Sequence, residues 1–187
     1  MIPRLIADES VLLVVDVQDK LLKAVPTAAD LVRNAGFLLD VANLLGVPSL
    51  ATEQYPKGLG PTTEAILARL KSKVMIKTAF SCCGAEGFLT EVRSFNRGTV
   101  VVVGMESHVC VLQTVLDLLE AGFAVHLPID AVASRSGLDK DAALRRLDKA
   151  GAVLTTVETV AFEWLRDAAH PSFKAVSKLI LERSANP

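Results

Sequence analysis

Continuous apolar runs alternate along this chain with segments of helical period. Val11-Leu12-Leu13-Val14-Val15 is apolar without a break. That is the pattern of a strand buried on both faces, not of one with a wet side. Residues 99–105, TVVVVGM, have the same character, and shorter apolar runs at 47–51, 74–77, 123–129 and 153–157 complete six predicted strands. Helical spacing fills the intervals at 18–23, 28–45, 64–70, 86–95, 107–120 and 139–150, and segments 162–168 and 173–182 close the chain as helices. Gly46, Gly122 and Gly151 stand where three of these helices stop, because glycine accepts the left-handed conformation common at helix C-termini. Residues 53–61 hold two prolines and two glycines and read as a loop. Strands alternating with helices predict an α/β protein: a three-layer, doubly wound fold with a six-stranded parallel sheet and helices on both faces. No linker, repeat or low-complexity tract divides the chain, so one domain spanning 1–187 is expected.

Composition narrows the function. Of 187 residues, 51% are hydrophobic and 22% charged, and 20 basic against 21 acidic side chains leave a net charge of −1. Near-neutrality argues against a surface built to grip nucleic acid or an anionic membrane. Aromatic residues, at 5%, are too few for a base-stacking platform. No apolar run approaches the roughly 18 residues that suggest a bilayer span. Asp8 and Glu9 interrupt the N-terminal stretch before any long apolar core, so a signal peptide is not expected. Three cysteines, two of them adjacent, do not make a disulfide framework, and a reducing cytoplasm is the expected compartment. There is no CxxC, no zinc spacing and no P-loop, and Gly58-Leu59-Gly60 lacks the third glycine of a dinucleotide motif. No cofactor is expected.

Ligands of open parallel sheets bind beyond the carboxyl ends of the strands. Asp16 follows the first predicted strand, Lys77 closes the third, and Cys110 follows the fourth. An acid, a lysine and a thiol are thereby expected at one edge. Cys110 falls near the start of a helix, where backbone N–H groups and the helix dipole favour a thiolate; the alternative is a small buried hydrophobe. Asp16 is costly at the end of an apolar strand unless paired, or it caps the helix after it. Lys77 is either the partner of such a charge or a lysine that snorkels from a strand end. Cys82 and Cys83 are expected to line or pack beside the pocket, with a second redox role as the alternative. His108 lies two residues before Cys110, so on a helix it would face elsewhere. His126 and His170 read as structural. Phe162, Trp164 and Phe173 are expected in the core.

These segments resemble the isochorismatase-like cysteine hydrolases from about Val11 to Leu181. LLVVDVQDKL resembles the family's first strand with its acid, IKTAFS its lysine segment, GMESHVCVLQTVLDLLEAGF its nucleophile segment and PIDAVASRS the strand that follows. TEQYPKGLG is similar to that of small members of one branch. The resemblance implies a Rossmann-like hydrolase fold in which Asp16 is the general acid/base, Lys77 the cation that lowers the thiol pKa and holds Asp16, and Cys110 the nucleophile. It implies a cis bond at Met105–Glu106, with the N–H groups of Glu106 and Cys110 aimed at an oxyanion. Gln18, Glu53 and Phe80 become candidate pocket residues, on loop position and resemblance. The metal-binding Asp-x-His of nicotinamidase-type members is replaced by Thr52-Glu53-Gln54, so no metal is expected. Cys110 argues against the enol-ether cleavage of true isochorismatases, which usually lack this thiol. The expected activity is hydrolysis of a small amide or related C–N bond through a Cys-acyl intermediate. The expected partners are a small-molecule substrate and other copies of the chain, with neither nucleic acid nor membrane. The rival readings are a non-catalytic interaction protein that retains the fold and a thiol redox protein.

Overall fold

The computed structural model describes residues 4–185. Both ends of the expected 1–187 domain, including the first three residues of the stretch read as lacking a signal peptide, lie outside the described residues. Seven strands form one sheet: β1 (Ser10–Val15), β2 (Ser49–Gln54), β3 (Val74–Lys77), β4 (Thr99–Met105), β5 (Ala124–Pro128), β6 (Val132–Ala133) and β7 (Val153–Thr155). The order is β3-β2-β1-β4-β5-β7, with the two-residue β6 pairing the end of β4, and the strand pairings are parallel. The helices are α1 (Asp19–Leu22), α2 (Ala28–Leu45), α3 (Pro56–Leu59), α4 (Glu64–Leu67), α5 (Phe88–Ser94), α6 (Leu112–Glu120), α7 (Gly137–Ala150), α8 (Val157–Leu165) and α9 (Phe173–Ala185).

The unbroken apolar run of β1 divides by its period of two. Leu12 and Val14 pack with Val101 and Val103 of β4 against Leu38 of α2, Val160 and Trp164 of α8 and Val176 of α9. Leu13 and Val15 pack with Val100 and Val102 against Phe88 of α5, Val115 of α6 and Leu147 of α7. Both faces are therefore covered, as the doubly wound reading requires. Trp164 joins the core and donates Nε1–H to Ser10 Oγ at 3.0 Å, whereas Phe162 is 46% exposed.

The differences from the expected elements have local causes. The second strand runs two residues later than its apolar pattern and continues through Thr52-Glu53-Gln54, because Gln54 pairs with Lys77 across the ladder. The expected loop begins only after it and contains the single turn α3, entered at Tyr55 with a left-handed φ of 38°. The expected helix at 107–120 opens as a π turn, Ser107–Val111, before α6. The last β strand stops at Thr155, because Thr156 caps α8 by accepting from the Thr159 N–H at 3.4 Å. The helix expected at 162–168 thus begins at Val157 and ends before Arg166, whose φ is 66°.

The chain winds outward through β1, β2 and β3 and then returns to place β4 beside β1. The crevice of a doubly wound sheet opens at such a reversal. Gly104 makes the close approach there possible: its φ is 125°, and a Cβ would drive into the Val15 carbonyl oxygen.

Candidate active site

Three strand ends and one turn build the site. Asp16 is the first residue past β1, held at a left-handed φ of 52° by its N–H bond to the Thr52 carbonyl at 3.1 Å. The positive φ turns the chain out of the sheet while the side chain stays fully buried. Lys77 ends the edge strand β3, and its side chain reaches past the end of the neighbouring β2 to Asp16. Nζ lies 2.7 Å from Asp16 Oδ2, 2.7 Å from Gln54 Oε1 and 2.9 Å from the Phe80 carbonyl. With the Ala79 carbonyl at 3.3 Å, four acceptors surround the three protons of the ammonium, so this lysine has no free proton to offer a substrate. The second carboxylate oxygen, Oδ1, accepts from Thr52 Oγ1 at 2.7 Å.

Cys110 sits in the π turn after β4, with its thiol close enough to Asp16 for that carboxylate to shift its ionisation. One carboxylate thus pairs with the ammonium of Lys77 and lies near the thiol of Cys110, so the predicted acid, lysine and thiol gather in one place. The expected depression of the thiol pKa is not what this arrangement gives. Burial pushes the Cys110 thiol up to about 12, and the adjacent Asp16 charge adds to the rise while Lys77 opposes it. At neutral pH the thiol keeps its proton, with a carboxylate nearby.

The Met105–Glu106 bond is cis. The Glu106 side chain engages Arg135 and His108, with Oε1 3.1 Å from Arg135 Nε and Oε2 3.4 Å from His108 Nδ1. His108 also lies 3.0 Å from Ser134 Oγ. His126 is buried in β5, and His170 accepts from the Ser172 N–H in a local turn.

The candidate pocket residues divide differently. Gln18 is fully buried, and backbone groups occupy its amide: Oε1 accepts from the Gln54 N–H at 2.8 Å, and Nε2 donates to the Gln54 and Gly60 carbonyls. Glu53 Oε1 accepts from the Thr62 N–H at 2.6 Å. These two side chains tie down the loop after β2. Phe80 is 54% exposed, and its carbonyl holds Lys77. Sequence reasoning passed over Thr52 and Gln54, which contact Asp16 and Lys77 directly. Extending the second strand would have revealed them, because residues two apart share a face and Glu53 between them points away.

Cys82 is also at the site. Its Sγ lies 3.5 Å from Thr52 Oγ1, and its N–H bonds to Thr114 Oγ1 of α6 at 2.9 Å. Burial raises its pKa to about 11 and that of Cys83 to about 12, and all three cysteines are free. Among the described residues, no group of three His, Cys, Asp or Glu side chains is arranged to hold a metal ion. A separate open cleft of about 830 Å³, lined by Arg4, Asp130, Phe162 and Arg183 among others, includes none of Asp16, Lys77 and Cys110.

The isochorismatase domain model matches residues 10–159. Isochorismatase domain-containing protein 2A of mouse is 40% identical over 179 residues, covering 96% of this chain and 86% of its own length. Among solved structures, the MAR1 ribonuclease of Caenorhabditis elegans is 40% identical with a TM-score of 0.89, covering 96% of this chain and 93% of that one. YcaC from Pseudomonas aeruginosa, solved with hexane-2,5-diol and covalent acrylamide, is 26% identical with a TM-score of 0.91, covering 100% and 96%. The matched strands and helices are those that carry the acid, the lysine and the thiol to one sheet edge, and the chain belongs to the isochorismatase family.

Proposed function

We propose that this chain is a cysteine hydrolase that cleaves a small amide or related C–N bond without a cofactor. The carrying observation is that one buried carboxylate, Asp16, is paired with Lys77 at 2.7 Å and lies close enough to the Cys110 thiol to shift its ionisation. Because the thiol rests protonated, Asp16 removes its proton as sulfur attacks the carbonyl carbon. The tetrahedral oxygen takes up the negative charge, and the N–H groups of Glu106 and Cys110 are its proposed donors. Asp16 then passes the proton to the leaving nitrogen as the C–N bond breaks, which leaves a thioester on Cys110. Water, deprotonated by Asp16, adds to the thioester; the acid departs, and the proton returns to sulfur. Lys77 keeps Asp16 in place through both half-reactions.

The reading makes residues 1–187 one domain with a small-molecule substrate, acting in the cytoplasm. Self-association is part of it, supported by Ile76, 65% exposed on the edge strand, and by exposed Tyr55 and Phe80 beside it. A second reading, RNA cleavage, comes from the relative named a ribonuclease. Two features of this chain weigh against it: the net charge of −1, and the engagement of His108 with Ser134 and Glu106 instead of the thiol.

The test is turnover of a panel of small primary and secondary amides, with single-stranded RNA as a parallel substrate. Cys110→Ser and Cys110→Ala are expected to abolish amide turnover and the mass-detected acyl-enzyme. RNA cleavage that survives both substitutions, with no amide turned over, would replace this reading. Inertness toward both, with Cys110 unreactive toward electrophiles, would favour a non-catalytic interaction protein. Reversible disulfides at Cys82 or Cys83 would favour a redox role.

A further inference from the structure

We propose that Thr52 and Cys82 are positioning residues for Asp16. In this chain of hydrogen bonds the Cys82 thiol donates to Thr52, Thr52 donates to Asp16 Oδ1, and the carboxylate is held turned toward the Cys110 thiol. The inference rests on the role proposed above for Asp16 as base.

The direction of the chain follows from proton counting. A carboxylate oxygen paired with an ammonium can only accept, and a threonine hydroxyl carries one proton. At 2.7 Å from Asp16 Oδ1, that proton belongs to Asp16. Thr52 Oγ1 then has only lone pairs left, so at the 3.5 Å contact with Cys82 Sγ the thiol must be the donor. The sulfur is fully buried, and its neighbourhood holds it in the protonated form. Cys82 is in turn anchored by its N–H bond to Thr114, so α6, which follows Cys110, and the base share one support.

The geometry gives the chain a purpose. Lys77 grips Oδ2 and Thr52 grips Oδ1, so the carboxylate is held at both oxygens and cannot swing about its own axis. A base that must take a proton from one sulfur and return it to a leaving group needs a fixed bearing, because small displacements cost rate steeply. A lone Lys77 contact would leave that rotation free. Cys82 on this account keeps its proton throughout and is neither a second nucleophile nor a redox partner.

The test uses acrylamide as probe. Its addition breaks the Cys110 S–H bond, sends the proton to Asp16, forms a bond from sulfur to the terminal alkene carbon, and returns a proton to the carbon beside the carbonyl. Adduct formation at Cys110 is followed by intact mass and peptide mapping from about pH 6 to 9.5. A built-in base makes the rate level near neutrality, and direct thiolate attack makes it climb with hydroxide at higher pH. Wild type is expected to show the level region, and Asp16→Asn to lose it. Thr52→Val is expected to lower the level region about tenfold and leave the alkaline climb in place, the loss of one hydrogen bond to a charged group. Thr52→Ser is expected to restore it to within about threefold, with Cys82→Ala lower by about threefold and Cys82→Ser near wild type.

A Thr52→Val rate within about twofold of wild type in the level region would overturn the proposal. So would equal losses in both regions, which mark a general distortion. The conservative Thr52→Ser variant decides the matter should Thr52→Val fold poorly. Retention of the level region in Asp16→Asn would instead remove Asp16 as base. Its absence from wild type would remove both readings together.

Discussion

Lys77 Nζ sits 2.7 Å from Asp16 Oδ2 with both side chains wholly withdrawn from water. The two residues are 61 positions apart in sequence and come from strands that do not pair with each other. A buried ion pair adds little net stability, but removing one partner strands the other charge in a low-dielectric interior. The pair therefore has a stability signature separate from its catalytic one.

Lys77→Met is expected to destabilise the fold by about 3–5 kcal/mol, read from chemical denaturation. The double variant Asp16→Leu/Lys77→Met is expected to recover most of that loss while remaining inactive. A double variant no more stable than Lys77→Met would mean that packing, not the orphaned charge, sets the cost.

Asp16→Asn is expected to move turnover and thiol ionisation in opposite directions. The Asp16 charge is one of the causes that hold the Cys110 thiol at about 12. Removing that anion leaves Lys77 to favour the thiolate, so the pH midpoint for iodoacetamide labelling of Cys110 should fall. Amide turnover should be lost in the same variant. An unchanged or raised midpoint would contradict the contact between carboxylate and thiol.

Gln18→Leu is expected to act through the loop and not through the substrate. It strands the Gln54 N–H and the Gln54 and Gly60 carbonyls, each bonded by the amide in wild type. Leaving buried polar groups unpaired costs about 1–3 kcal/mol. Denaturation should show that loss, and limited proteolysis should cut sooner within residues 55–62.

His126 should make the fold sensitive to mild acid. Burial lowers its pKa below the ordinary 6.5, with Glu163 opposing the shift, and its Nδ1 has no partner among the described residues. Just below pH 6.5 the unfolded chain therefore binds more protons than the folded one, so stability falls as the pH drops. Between about pH 6.5 and 5 the melting temperature should fall by a few degrees more in wild type than in His126→Leu. Parallel falls in both proteins would assign the acid sensitivity elsewhere.

Much of the architecture was legible in residue order. The unbroken run at Val11–Val15 could be satisfied only between two layers, and it is. The 28–45 helix stops at Gly46, where φ is 70°, as the glycine predicts. The polar end of β2 was not legible, because ladder bonds to β3 hold Thr52-Glu53-Gln54 extended against their composition. Periodicity did not isolate the two-residue β6, which only its pairing with β4 defines and which lies inside the PIDAVASRS segment that the resemblance marks as a strand.

The sequence by itself determined the layered parallel sheet and the edge at which an acid, a lysine and a thiol would gather. Strand periodicity and helix stops are local, and strand ends inherit their place from them. Tertiary structure alone decided what those groups do to one another. Thr52 and Gln54 became the supports of Asp16 and Lys77, Gln18 became a loop clasp, and Cys110 became a protonated thiol instead of a thiolate. Desolvation and Coulomb interactions depend on distances between side chains far apart in the chain, and those distances exist only in the folded molecule.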